Sequence, residues 1–94
     1  MRLTGLVLGL ACLVHAPPLR ADASLIAEGQ LLYQDFCEVC HGANAATGDS
    51  GDIRGLGVNT VRIALRGIED MPPFDLTGVE IDAIVAYLSS LSGA

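Results

Sequence analysis

The sequence predicts an all-α fold of three to four short helices, and three features of the 94-residue chain carry that prediction. Apolar side chains recur three and four apart in two stretches, Leu25, Ile26, Leu32, Tyr33 and Phe36, then Ile81, Ile84, Val85, Leu88 and Leu91. That spacing puts each set on one face of a helix. Residues that start helices precede both: Ser24 can cap the first, and Thr77-Gly78-Val79-Glu80 reads as a capping box for the last. Directly after the first stretch comes Cys37-Glu38-Val39-Cys40-His41. On a helical turn, residues three and four apart share a face, so both thiols point one way and His41 lies on the side of Cys37.

Taken in order, the chain opens like an export signal. Arg2 supplies a positive start, Leu3–Val14 is a twelve-residue apolar run, Pro17 and Pro18 break it, and Ala21-Asp22-Ala23 fits a small-residue cleavage site. A membrane span needs about 20 apolar residues, so no stable insertion is expected once the signal is cut. Cleavage after Ala23 leaves one domain, residues 24–94, and removes Cys12 and His15. The first helix should run from Ser24 to about Phe36, with Gly29 inside it at a cost of about 1 kcal/mol against Ala. The motif that follows is a c-type haem attachment site, in which Cys37 and Cys40 form thioethers and His41 reaches the iron.

Residues 42–52, rich in Gly, Asn, Asp and Ser, read as a loop. A short helix should start at Asn59 or Thr60 and end near Arg66, with Gly67 just beyond it and Val61, Ala64 and Leu65 facing inward. Arginine suits carboxylates. Arg54 is therefore a candidate partner for a haem propionate, or else a solvated surface residue, while Arg62 and Arg66 read as surface residues. In Asp70-Met71-Pro72-Pro73-Phe74 the prolines force an extended strap. An iron held by a proximal histidine has a sixth position to fill. Met71 is the only thioether left after Met1 is lost, so it is the expected ligand, against the plainer role of a core methionine.

With Gly29 and Tyr33 ahead of Cys37-x-x-Cys40-His41, then Met71-Pro72-Pro73-Phe74 and a closing helix with Ile84, Tyr87 and Leu88, the chain resembles the small class I cytochromes c of bacteria. The resemblance covers nearly everything after about residue 24. It implies helices wrapped around one covalently bound haem c, and a close crossing of first and last helices at Gly29 beside Tyr87. Relatives often place a proline carbonyl on the second nitrogen of the haem histidine. No proline lies between His41 and Met71 here, so another backbone carbonyl of the loop is the expected acceptor.

Residues 24–94 carry ten acids and three arginines, a formal balance of −7, and the chain has no lysine. That excludes the basic footprint of a nucleic-acid binder and the lysine-ringed docking face of mitochondrial relatives. Redox partners, a periplasmic dehydrogenase or a terminal acceptor, should offer a basic or an apolar face. So short a domain needs a staple, and without its haem it is expected to be largely unfolded. A zinc site would want four ligands where the mature chain offers two cysteines and one histidine, and a thiol redox pair would want a βαβ setting where this pattern is helical. The expected function is a periplasmic one-electron carrier rather than an enzyme, either diffusing or serving as the haem subunit of a dehydrogenase. The alternative is a high-spin haem enzyme or gas sensor with an open sixth position.

Overall fold

The computed structural model describes residues 18–92, with side chains from Ala23 onward. Four helices follow in order: α1 (Pro18–Phe36), α2 (Glu38–His41), α3 (Val58–Ala64) and α4 (Gly78–Ser92). Among the described residues there is no strand, only two isolated bridges, Gly48 with Gly51 and Ile68 with Met71. The all-α prediction holds. The expected signal segment lies largely outside the described residues.

Within the described residues helix α1 already runs from Pro18, so Ser24, the expected cap, lies inside it. Helix α4 opens as the sequence indicates. The Thr77 N–H donates to Glu80 Oε1 (2.8 Å) and the Glu80 N–H to Thr77 Oγ1 (3.2 Å), closing the reciprocal box. Helix α3 departs from expectation at both ends. Its N-cap is Gly57 with no side-chain cap, and it stops at Ala64. Neither Asn59 nor Thr60 caps it. Beyond it the Arg66 and Gly67 N–H groups bond to Ile63 and Ala64 in tighter turns, and Gly67 reverses the chain at φ +96°.

The core sits where α1 crosses α4, the largest helix–helix interface. From α1 comes Tyr33, fully buried; from α4 come Ile81, Ala83, Ile84, Tyr87 and Leu88. The Tyr33 and Tyr87 rings meet at 5.5 Å, tilted by 49°. Gly29 makes the approach possible: a Cβ there would overlap the Ala83 carbonyl and come within 2.9 Å of Tyr87 Cβ. This is the close crossing beside Tyr87 that the family resemblance implied. Val61 of α3 and Leu65, just past its end, join the core. Phe74, on the strap after Met71, meets Phe36 of α1 edge-on at 5.9 Å, and its N–H donates to the Leu65 carbonyl (3.0 Å). The strap is thereby tied to α1 and to the end of α3. Among the described residues no helix is long and apolar enough to cross a membrane.

Candidate functional site

The motif folds as a single helical turn. The N–H groups of Cys40 and His41 both donate to the Cys37 carbonyl, at 3.2 and 3.0 Å. Cys37 is buried and Cys40 exposed, and neither is in a disulfide. Burial pushes the Cys37 thiol up to about 11. Among the described residues no group of three or more His, Cys, Asp or Glu is arranged to hold a metal ion.

Gly42 ends the turn at φ +90°, and its carbonyl accepts a 2.5 Å hydrogen bond from the Tyr33 hydroxyl. Burial, with smaller contributions led by Cys37, pushes that phenol up to about 12, so it keeps the proton it donates. The bond pins the residues after the motif to α1. The loop then doubles back. Ala45 is fully buried at φ +63°, and its N–H returns to the Gly42 carbonyl (3.1 Å). Gly48 lies on the motif's own backbone: a Cβ there would overlap the Cys40 carbonyl and come within 2.7 Å of the His41 Cα. A turn closed by Gly51 N–H to Gly48 carbonyl (3.0 Å) follows, with Gly51 at φ +94°. It places the Ser50 hydroxyl 3.1 Å from His41 Nδ1. The group that the structure sets against His41 Nδ1 is thus a side-chain hydroxyl, where the sequence led us to expect a backbone carbonyl. The loop's fold onto the motif decides this, and local pattern does not report it.

Opposite the motif, Met71 stands at the end of a tight turn. Its N–H donates to the Ile68 carbonyl (2.8 Å), and Glu69 takes φ +51° to make that reversal. A non-glycine residue in this region is held there by its surroundings. The two prolines follow, and Pro73 lies against Gly67, where a Cβ would be 3.2 Å from Pro73 Cδ.

Cys37, Cys40, His41 and Met71 all line one cavity of about 940 Å³. Its far walls are aliphatic, from Val61 of α3, Leu65 just past its end, and Ile84 and Leu88 of α4. Of its lining, Val39, Ile63 and Ile68 are large apolar side chains left 90%, 51% and 45% exposed. An apolar cavity at the upper end of small-molecule sites, with apolar side chains left open around it, fits a large flat hydrophobic occupant. Arg54 is not among the lining residues. Its guanidinium forms a fork on Asp52, Nε to Oδ1 at 2.9 Å and Nη2 to Oδ2 at 2.7 Å, and this hydrogen bonding holds the Asp52 carboxyl down at about 2.

The model of the family described as cytochrome c oxidase, cbb3-type, subunit III matches residues 24–88. The chain belongs to that family. No curated protein and no solved structure matches it. As a cytochrome c domain, the chain carries a covalently bound haem c and has a haem-based electron-transfer role. Such domains are generally exported or membrane-associated. The residues present fit the group: two free thiols and a histidine on one helical turn, a thioether on the facing strap, and aliphatic walls between them. Sequence reading missed two members of this cytochrome c site. Ser50 had only its place between turn glycines to mark it. Tyr33 was assigned to the core, and nothing in the pattern reported its hydroxyl's partner.

Proposed function

We propose that this is an exported, periplasmic single-haem cytochrome that passes one electron at a time between redox proteins. Cys37 and Cys40 hold the haem through thioethers, and His41 and Met71 are the iron ligands. The observation that carries this reading is that all four side chains face a single apolar cavity. The haem supplies a one-electron couple. The chain's part would be to hold the iron with His41 and Met71, to exclude water with Val61, Leu65, Ile84 and Leu88, and to keep the ligands still. Met71 is well suited to the last task. Its turn, the following prolines and the Phe74–Phe36 contact fix the strap, so a change of charge at the centre meets a ligand with little freedom to move. A thioether ligand raises the reduction potential, and aliphatic surroundings act in the same direction.

The partner's surface follows from the cavity's lining. Val39, Ile63 and Ile68 offer apolar contact, and Asp49, Glu69 and Asp70 add acids. This combination suits a partner with a basic rim around an apolar centre, an encounter that salt weakens. The partner is a larger oxidoreductase, a dehydrogenase that donates electrons or a terminal acceptor; the family's description as an oxidase subunit favours the acceptor. A propionate near Arg54 would have to compete with the Asp52 fork.

The optical spectrum tests the ligand set. The oxidised protein should show low-spin bands with a weak near-red sulfur-to-ferric band, and the reduced protein should bind carbon monoxide slowly. High-spin bands with rapid carbon monoxide binding would instead identify a haem enzyme or gas sensor.

A further inference from the structure

The loop after the motif contains a device that the ligand set alone does not require. We infer that Ser50 is the positioning residue of the axial histidine: its hydroxyl oxygen accepts the Nδ1 hydrogen of His41, fixing the ring's tautomer and orientation and strengthening it as a ligand. The inference rests on the proposed role of His41 as an iron ligand.

The chemistry follows from the two ring nitrogens. A histidine that gives its Nε2 lone pair to a metal carries its hydrogen on Nδ1, and the tautomer is set by what that hydrogen meets. Here it meets Ser50 Oγ at 3.1 Å, within the range of an N–H···O bond. Serine can play either part in a hydrogen bond; with the hydrogen on Nδ1 it must accept.

The placement of the hydroxyl is built, not incidental. Ser50 is exposed and belongs to a four-residue turn, so nothing in its own burial holds it over the ring. The two glycines of the turn do. Gly48 can lie on the Cys40 carbonyl and the His41 Cα only because it has no Cβ. Gly51 closes the turn at φ +94°, a region that disfavours other residues. The turn is therefore docked on the same backbone that carries His41, and the hydroxyl moves with the ring it serves. Tyr33 anchors the other end of this segment through the Gly42 carbonyl.

An acceptor on Nδ1 makes the imidazole a stronger electron donor, which favours ferric over ferrous iron. Ser50 should thus hold the potential below the value that His41 and Met71 alone would give. The test is made on the haem-loaded protein with Ser50→Ala and Ser50→Thr. Two quantities are read, the midpoint potential and the solvent exchange of the His41 Nδ1 proton in the reduced state by NMR. Ser50→Ala should shift the redox equilibrium toward the reduced form by up to about tenfold, ~59 mV for a one-electron couple, and speed the exchange. Ser50→Thr, which keeps a hydroxyl, should stay near the parent in both. If Ser50→Ala keeps the parent's His41 and Met71 coordination spectrum with unchanged potential and exchange, the inference fails alone, even where stability falls. If the parent shows no coordinated His41, the ligand assignment fails and this inference with it.

Discussion

Met71→Ala is expected to lower the reduction potential by roughly 0.1–0.3 V, a sizeable part of the ~0.8 V that axial ligands span. It should also open the iron to exogenous ligands. No other residue can restore a thioether, because the only other methionine is Met1, in the expected signal. No lysine can take the place either, since the chain has none. The turn that carries Met71 is built from Ile68, the left-handed Glu69 and Asp70, and Pro72 and Pro73 follow it. A small side chain at position 71 leaves that scaffold intact, so the protein should still fold. Potentiometry and carbon monoxide binding to the reduced variant check the result. A potential equal to the parent's would show that the sixth position is filled by something else.

Gly29→Ala is expected to destabilise the folded protein, although alanine is the better helix former by about 1 kcal/mol. The added methyl has no room. It would overlap the backbone carbonyl of Ala83, which cannot swing aside as a side chain tip can. Separating α1 from α4 at that point loosens Tyr33 and Tyr87 together. Overpacking of this kind costs about 1–3 kcal/mol, and a domain this size loses about 4–8 °C of melting temperature per kcal/mol. Gly78→Ala provides the control. No neighbour lies within 4 Å of its added Cβ, so propensity should decide there and stability should hold or rise. Thermal unfolding of both haem-loaded variants gives the comparison, and a Gly29→Ala variant as stable as the parent would mean the crossing is not tight.

Much of this was legible in the sequence because it is local. The capping box at Thr77 and Glu80 needs only a spacing of three, and both hydrogen bonds form. The apolar faces of α1 and α4 follow from helical period, and Tyr33, Ile81, Ile84 and Leu88 are indeed buried. The crossing at Gly29 came from family resemblance, since a lone glycine in a helix does not say what approaches it. Most of what could not be read was set by tertiary closure. The start of α3 depends on how Gly57 leaves the preceding loop, and so a capless glycine outcompetes the better caps Asn59 and Thr60. The Ser50–His41 contact depends on Gly48 settling onto the motif twelve residues after the chain has left α1. Arg54 was drawn away by a carboxylate two positions earlier, an Asx-type local bond that competes with any longer reach. For α3 and Ser50 a through-space neighbour decided what the one-dimensional pattern left open, and for Arg54 a near neighbour in sequence did.

The central claim is that a haem is joined to this chain through Cys37 and Cys40, and mass spectrometry of the fully denatured protein tests it most directly. The polypeptide should be heavier than its sequence by one haem, with pigment retained after acid-acetone extraction, and peptide mapping should place the added mass on the segment spanning both cysteines. A denatured chain of bare polypeptide mass, with all pigment in the solvent, would contradict the account.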